Sequence, residues 1–449
     1  MARSRSHQPG TRRGLPRALN GETPGSAAHP VEKEFRVLRI AGGGDGVGRL
    51  SDGRTVFVPR TAPGDLVEVQ YFMNADRYSR ARLVRVLEPG PSRVVPPCPH
   101  YIRDQCGGCQ VQHLTLGAQL SAKQSIVGEA LRRVGHIEIE DPVVLPGGRA
   151  WEYRTKITLT VDASGRIGLH PWDRPDKTFD LEHCHITDSS LMALWSVVRR
   201  HRRLLPANTT HLILRLDRQG GRHLIARVTG PPPWQSAGAL AQALTGAGVP
   251  TVLWWEPEGG AARVVSGASD AYPATVFEQV NPEMGDMVRT YALDRLGPVR
   301  DRHVWDLYSG IGESTERLVR AGARVESVES DPRAVRLAEN RLRALLKTPH
   351  GPLPNGLSCR LGKVEEIASR LGAPDLILTN PPRGGMEAKA IQAITERSPE
   401  RLVYISCDPA TLARDIARLA STHRASHVQA FDLFPQTAHV ESVAVLDRI

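Results

Sequence analysis

A cysteine and a glutamate near the C-terminus could carry covalent and acid–base chemistry. Cys407 follows a run of β-forming residues, 402–406, which predicts a short buried strand that ends at the thiol. Glu441 stands in the stretch HVESV, at the junction of a loop and another predicted strand. Because strand ends border the ligand crevice of an open α/β sheet, Cys407 could be a nucleophile and Glu441 a base. Most free cysteines are only small apolar fillers, so position alone favours this chemistry only slightly.

A cluster of cysteines near residue 100 predicts a metal site. Three of them follow the spacing C-x7-C-x2-C, and a fourth stands far along the chain in EHCH. Four thiolates suit a 4Fe-4S cluster or a tetrahedral zinc ion, and His183 or His185 could complete a zinc site instead. Zinc ribbons usually show two paired knuckles, which this spacing lacks, but the spacing alone leaves both metals open. The candidate ligands are Cys98, Cys106, Cys109 and Cys184.

A glycine-rich turn predicts a cofactor crevice. Residues 305–312, WDLYSGIG, have the pattern of a strand that enters a turn before a helix, where the backbone can approach a ligand closely. Glu329 ends the next predicted strand about 20 residues later, where an acid commonly binds ribose hydroxyls. The pattern D-x-Y-x-G-x-G lacks the third glycine of dinucleotide sites and favours S-adenosylmethionine. Asn380, in NPPR, adds an amide at the same edge of the sheet.

A methyl donor, a thiol and a carboxylate together indicate one reaction. Carbon 5 of uracil becomes nucleophilic once a thiolate has added to carbon 6, and it can then take a methyl group from a sulfonium. A base must afterwards remove the carbon 5 proton so that the thiol can leave. The sequence offers Cys407 for the addition, Glu441 for the proton and a crevice for S-adenosylmethionine.

Strand and helix patterns divide the chain into three folded parts after a disordered basic tail, residues 1–32. Short strands between glycine-rich turns predict a small β-barrel over residues 33–89, and VFVPRTAPGDLVEV resembles a TRAM domain, an OB-like RNA-binding barrel. Residues 90–270 form a central α+β domain with the cysteine cluster. In residues 271–449 strands alternate with helices, which predicts a Rossmann-like, doubly wound α/β domain.

The composition suits a polyanionic partner. The 449 residues carry a formal net charge of +10, and arginine forms bidentate contacts with phosphate. No apolar run approaches the roughly 18 residues that a bilayer-spanning helix needs, and the start has no apolar signal segment. We therefore expect a cytoplasmic, monomeric protein that binds RNA and no membrane.

The motif set resembles the RNA (uracil-5-)-methyltransferase family, in particular its iron–sulfur 23S rRNA branch with an N-terminal TRAM domain. The likeness rests on the cysteine spacing and on FEQVN, DLYSGIG, NPPRGG, SCDPATLARD and HVESV. It implies a class I S-adenosylmethionine-dependent methyltransferase in which Cys407 is the nucleophile and Glu441 the base. It also implies that the four cysteines bind a structural 4Fe-4S cluster. The implied contacts to S-adenosylmethionine are Gln279, Tyr308, Glu329 and Asn380.

The resemblance implies 23S rRNA as the substrate, with a uridine of the tRNA T-loop as an alternative. Two other functions compete with it. Amino methyltransferases also use Asn-Pro-Pro, but they need no thiol and usually carry an aromatic residue where Arg383 stands. A non-catalytic RNA-binding protein would keep the barrel and the cluster but would not bind S-adenosylmethionine. The chain departs from the family at Asn380, where Asp is usual, and at Glu278, where an aromatic residue is usual.

Overall fold

Three β-sheets organise the described part of the chain. The computed structural model describes residues 31–230, 233–268, 276, 278–348, 353–354 and 356–449. Nearly all of the predicted basic tail, residues 1–32, therefore lies outside the described residues. No helix within the described ranges is long and apolar enough to cross a bilayer.

The first sheet forms the small barrel that the sequence predicts for residues 33–89. Its strands are β1 (Val31–Arg36), β2 (Arg39–Ile40), β3 (Asp45–Arg49), β4 (Thr55–Pro59), β5 (Leu66–Asn74) and β6 (Tyr78–Glu88). The order β1-β5-β6-β4-β3-β2 puts two consecutive strands at opposite ends of the sheet, so their short connection brings the ends together. Arg60, just after β4, donates to the Cys106 carbonyl at 2.9 Å. This contact joins the barrel to residues 98–109, which we call the cysteine segment.

The second sheet belongs to the central part of the chain. It follows α1 (Pro99–Ile102), α2 (Leu116–Arg133) and β7 (Val144–Leu145). Its elements are β8 (Lys156–Val161), β9 (Ile167–Leu169), β10 (Phe179–Asp180), α3 (Ser189–Arg200), β11 (Thr209–Leu216), β12 (Arg222–Val228), α4 (Ala237–Gly246), β13 (Thr251–Pro257) and β14 (Arg263–Ser266). The strand order is β10-β9-β8-β11-β12-β13-β14. Leu212 and Leu214 of β11 join the core with α3 and α4, whereas Ile213 joins a separate cluster, as strand alternation requires.

The third sheet is the doubly wound α/β sheet that the sequence predicts. Its elements are α5 (Pro282–Leu296), β15 (His303–Leu307), α6 (Glu313–Arg320), β16 (Arg324–Glu329), α7 (Pro332–Leu345), β17 (Leu357–Leu361), α8 (Val364–Ile367), β18 (Leu376–Thr379), α9 (Ala388–Arg397), β19 (Arg401–Ser406), α10 (Pro409–Leu419), β20 (His423–Phe431) and β21 (Glu441–Arg448). The strand order is β17-β16-β15-β18-β19-β21-β20-β7. The strands from β17 to β19 pair in parallel, and β21 pairs antiparallel with both β19 and β20.

Part of the region before residue 150 belongs structurally to the third sheet. The short strand β7 extends its edge, since Val144 pairs in parallel with Ala430 of β20. Helix α2 packs on α10, and Val127 and Leu131 of α2 are buried in the same core as Leu412. The sequence patterns placed all of residues 90–270 in the central domain, so this docking of α2 and β7 is a feature that only the fold reveals.

A buried ion pair fixes α2 to the loop after β20. The Lys123 ammonium, whose side chain is 1% exposed, pairs with Asp432, and it also donates to the Phe434 carbonyl at 3.0 Å. Burial lowers the pKa of Lys123 and raises the pKa of Asp432, while each charge favours the other. Each side chain therefore depends on its partner to stay charged in the interior.

Replacing Lys123 with methionine should destabilise the protein, because it leaves the buried Asp432 carboxylate without its partner. We expect the free energy of unfolding to fall by about 3 kcal/mol in urea denaturation followed by circular dichroism. The double variant Lys123→Met/Asp432→Leu should recover most of this loss, since an apolar pair leaves no uncompensated charge. Equal destabilisation of the single and double variants would contradict the role of the ion pair.

Candidate active site

The crevice opens where the strand order of the third sheet reverses. The chain continues from β15 to β16 on one side, whereas β18 lies on the other side, and ligands bind at such switch points in open α/β sheets. The turn after β15 needs glycine, because Gly310 and Gly312 have φ of +56° and +77°. A side chain at Gly312 would also meet the Ala338 Cβ at 2.7 Å. The Asn380 backbone amide donates to the Leu307 carbonyl at 3.2 Å, which joins the loop after β18 to the end of β15.

Glu329, the predicted ribose acid, stabilises the glycine-rich turn in this structure. Its Oε2 accepts from the Gly310 amide at 3.0 Å. Its Oε1 accepts from the Ser330 and Asp331 amides at 2.7 and 2.9 Å. The carboxylate is thus fixed at the carboxyl end of β16, beside the turn.

Tyr308 has an uncommon backbone conformation and a buried hydroxyl without a hydrogen-bond partner among the described residues. Its φ is +59°, which is uncommon for a residue other than glycine. Its hydroxyl is buried and has no hydrogen-bond partner among the described residues. The site where a side chain would project from Gly310 is open. Open space beside an unpaired hydroxyl fits a polar ligand that supplies the missing partner.

Two other predicted cofactor residues, Asn380 and Gln279, lie on separate elements of the fold. Asn380 is exposed at the end of β18. Gln279 is half-buried and borders a cleft of about 290 Å³ between the central sheet and the start of α5. Beside it, Glu278 pairs with the buried Arg215 of β11, so the unusual acid at this position has a matching cation. Phe277 of the FEQVN motif lies outside the described residues.

Cys407 lies between the end of β19 and the start of α10. Asp408 caps the helix, since its Oδ1 accepts from the amides of Ala410 and Thr411, both at 3.0 Å. On the other side, the Ser406 hydroxyl donates to the Asp408 carbonyl at 3.0 Å. These contacts fix the backbone on both sides of Cys407 and leave its thiol half-buried at the crevice.

Glu441 faces Cys407 across a strand pair. The antiparallel register joins Ser406 to Ser442, so the next position opposes Cys407 to Glu441. Glu441 is 2% exposed, and its Oε2 has no hydrogen-bond partner within the described part of the chain. The structure therefore brings the two predicted catalytic side chains to one edge of the sheet.

The two side chains influence each other electrostatically. Burial, together with the Glu441 carboxylate, raises the pKa of Cys407 to about 11. Burial raises the pKa of Glu441 to about 8. The nearby Arg383 guanidinium lowers the pKa of both groups, although not enough to offset burial. Arg383, which the sequence showed only as a neighbour of Asn-Pro-Pro, therefore stabilises both anions.

Asp415 is a further site residue that the sequence analysis did not single out. It is fully buried and accepts from the Tyr404 hydroxyl at 2.9 Å and from the Met386 amide at 2.7 Å. Its neighbour Arg414 donates to the Gly384 carbonyl at 2.8 Å. The two residues fix the loop of Asn380 and Arg383 onto α10. The signal was available, since both lie in the SCDPATLARD motif.

The structure brings the four predicted metal ligands together in one region. Three of the thiols are buried and Cys184 is half-buried, and each of the three has its pKa raised by burial and by the other thiols. The Gly108 amide donates to the Cys106 sulfur at 3.4 Å. Within the described ranges, no three His, Cys, Asp or Glu side chains are arranged to hold one metal ion. The rings of His183 and His185, the alternative zinc ligands, contact each other at 5.1 Å between centroids.

Two family models match parts of the chain. Residues 362–449 match the model of tRNA (Uracil-5-)-methyltransferase, which covers Cys407, Glu441 and Asn380. Residues 33–84 match the TRAM domain, as the sequence resemblance implied for the barrel.

Curated relatives match over nearly the whole chain. The chain is 30% identical to a 23S rRNA (uracil(1939)-C(5))-methyltransferase RlmD of Dechloromonas aromatica, over 88% of this chain and 95% of the relative. It is 32% identical to the enzyme of the same name from Chromohalobacter salexigens, over 92% and 88% of the two chains. The fold is similar to that of Pyrococcus abyssi tRNA (uracil-54, C5)-methyltransferase in complex with S-adenosyl-L-homocysteine, with a TM-score of 0.67 and 20% identity over 92% and 100% of the chains.

The buried carboxyl at position 441 should make stability depend on pH. Its pKa of about 8 lies above the ordinary value of 4.5, so between these two pH values the unfolded chain loses a proton that the folded chain keeps, and stability falls with rising pH until it levels off above about 8. Glu441→Gln stays neutral, so its unfolding free energy relative to the wild type should rise by about 2 to 3 kcal/mol between pH 6 and pH 9. Urea denaturation of both proteins at each pH measures the difference. A difference that does not change with pH would show that Glu441 does not titrate in this range.

Proposed function

The chain belongs to the RNA uracil-5-methyltransferase family, and from that premise we propose that it methylates carbon 5 of a uridine in 23S rRNA through a covalent intermediate on Cys407. The observation that carries the proposal is the strand pair that opposes Cys407 to Glu441. This chemistry needs a thiol and a base, and at this edge of the sheet lie a thiol and a buried carboxylate oxygen with no hydrogen-bond partner among the described residues.

Cys407 begins the reaction by adding to carbon 6 of the uracil. The thiol must lose its proton first, and its raised pKa of about 11 means that the free protein holds mainly the neutral form near pH 7. The thiol proton passes to solvent, and Arg383 favours the thiolate that remains. Addition forms the bond between Sγ and carbon 6 and moves the electrons of the double bond toward carbon 5.

Glu441 completes the reaction by removing the proton from carbon 5. S-adenosylmethionine supplies the methyl group that carbon 5 takes up. Glu441 then accepts the carbon 5 proton, the double bond between carbons 5 and 6 forms again, and the Cys407 thiolate leaves. A raised pKa makes Glu441 a stronger base than an exposed carboxylate once it is deprotonated.

Four residues would hold S-adenosylmethionine in the crevice. The unpaired Tyr308 hydroxyl and the open space above Gly310 fit a ligand that lies across the turn. Glu329 is fixed beside this turn, where it can reach ribose hydroxyls. Asn380 and Gln279 would complete the site, by their match to the family motifs.

Four thiols would hold a 4Fe-4S cluster in the central domain. The donors are of one chemical kind, and burial of four thiolates is costly unless a cation neutralises them. Each ligand of such a cluster binds a different iron, so the thiolates lie farther apart than ligands of a single ion. The Gly108 amide beside Cys106 would hydrogen-bond to a ligand sulfur. The ligands would be Cys98, Cys106, Cys109 and Cys184.

We favour 23S rRNA because relatives that cover most of the chain carry that substrate in their names. The target uridine must leave its stack to reach the crevice, which a loop permits more easily than a duplex. The barrel and the net charge of +10 would bind phosphates around it. We further propose that the enzyme acts as a cytoplasmic monomer.

Substitution of the two catalytic residues should give opposite effects on the covalent intermediate. Cys407→Ala should abolish both 5-methyluridine formation and the RNA–protein adduct seen on denaturing gels. Glu441→Gln should lower turnover by at least about 100-fold and accumulate the adduct, because the proton cannot be removed. Cys359→Ala, on the edge strand β17, is the matched control and should keep wild-type activity.

These measurements use radiolabelled S-adenosylmethionine with purified 23S rRNA and tRNA as parallel substrates. Radiolabel in tRNA alone would show that tRNA, and not 23S rRNA, is the substrate. Normal methylation by Cys407→Ala would refute the thiol mechanism.

The cysteine site should contain iron and sulfide in about four atoms each per chain after anaerobic purification. Cys109→Ser should lose this iron, whereas Cys359→Ser should keep it. Zinc as the bound metal in elemental analysis, with no acid-labile sulfide, would contradict the cluster.

A further inference from the structure

The loop between β20 and β21, residues 432–440, leads directly into Glu441. We call it the base loop. Its centre is Gln436, which is 2% exposed and has a φ of +68°. A residue other than glycine keeps this conformation only where its surroundings enforce it. The contacts of Gln436 therefore fix the backbone shortly before Glu441.

A pair of buried amide side chains holds Gln436. The Gln119 Nε2 donates to the Gln436 Oε1 at 3.0 Å, and the Gln436 backbone amide donates to the Gln119 Oε1 at 2.9 Å. Gln119 is 1% exposed on α2, and its Nε2 also donates to the Leu114 carbonyl at 3.0 Å. Loss of this side chain would leave polar groups of the base loop unsatisfied in the interior.

The segment after the cysteines holds the same residue from the other side. The amides of Gln110 and Val111 both donate to the Gln436 carbonyl, at 3.2 and 3.1 Å. The Gln110 Oε1 accepts from the Ala438 amide at 3.3 Å. The Tyr153 hydroxyl adds a bond to the Pro435 carbonyl at 2.9 Å. The base loop is thus fixed by residues that are far away in sequence.

We propose that Gln119 and Gln110 are positioning residues that place Glu441 for proton removal by holding Gln436. This inference rests on the proposed function. Within the described residues no group hydrogen-bonds to the Glu441 Oε2, so the carboxylate is placed by its backbone, which pairs with Phe431 of β20 and follows the base loop. We call the contacts of Gln119 and Gln110 with the base loop the clamp. A small displacement of a catalytic base lowers the rate of proton transfer strongly and changes substrate affinity little, so the clamp acts on the last chemical step.

The variant Gln119→Leu tests the clamp because it keeps the approximate side-chain volume and removes both hydrogen bonds between Gln119 and Gln436. We expect kcat to fall by about 10- to 100-fold, with KM for RNA and S-adenosylmethionine within about twofold of the wild type. The fraction of enzyme in the covalent RNA adduct should rise, because Cys407 still adds while proton removal is slow. Gln119→Glu keeps the acceptor for the Gln436 amide and should give an intermediate kcat.

A second variant separates positioning from folding. Gln436→Gly adopts a positive φ without strain and keeps the backbone acceptor, so it should fold and still accumulate the adduct. The matched control is Gln124→Leu, on the same helix, whose amide donates to the Asp141 carbonyl at 3.1 Å and not to the base loop. It should keep wild-type kcat and adduct levels.

A normal kcat in both Gln119→Leu and Gln436→Gly would overturn the clamp, and so would a lower kcat without more adduct. Methylation by the wild-type protein would still support the proposed function in either case. A wild-type protein that makes no 5-methyluridine would overturn the proposed function and the clamp with it.

Discussion

The antiparallel insertion of β21 between β19 and β20 is the constraint on which the site depends. A parallel strand at this place would begin at the opposite edge of the sheet, far from the end of β19. Because β21 runs antiparallel, Ser442 pairs with the last residue of β19, and its first residue, Glu441, opposes the thiol that follows β19. Strand β20 also ends at the crevice edge, so the loop that joins it to β21 lies there. The contacts of that loop with α2 and with the residues just after the cysteine segment explain why these distant parts pack on the third sheet.

Burial gives the crevice its chemistry and also its main difficulty. It raises the pKa of Cys407 and of Glu441, so it opposes the thiolate that the proposed mechanism needs while strengthening the carboxylate as the proposed base. Arg383 offers a cation to both groups, and it lies on a loop that Asp415 and Arg414 fix onto α10. Helix α10 itself begins next to the thiol. Cys407 and the loop of Arg383 therefore share one rigid support, α10.

The sequence predicted much of this arrangement because its signals are local. Alternating strands and helices indicated the doubly wound sheet, and the thiol and carboxylate stood at recognisable strand ends. Docking of α2 and β7 was not predictable in this way, since β7 has only the two residues Val144 and Leu145 and shows no periodicity. Nor does any local pattern pair Gln119 with Gln436 across more than half of the chain. Such contacts follow from packing, which a linear pattern does not encode.

The most direct measurement uses RNA in which 5-fluorouridine replaces uridine, together with S-adenosylmethionine. Fluorine at carbon 5 cannot leave as a proton, so the intermediate cannot resolve and stays attached to the nucleophile. After digestion, peptide mass spectrometry should find the methylated fluorouridine on the peptide that contains Cys407. An adduct on another residue, or none from an enzyme that methylates ordinary RNA, would contradict the covalent mechanism.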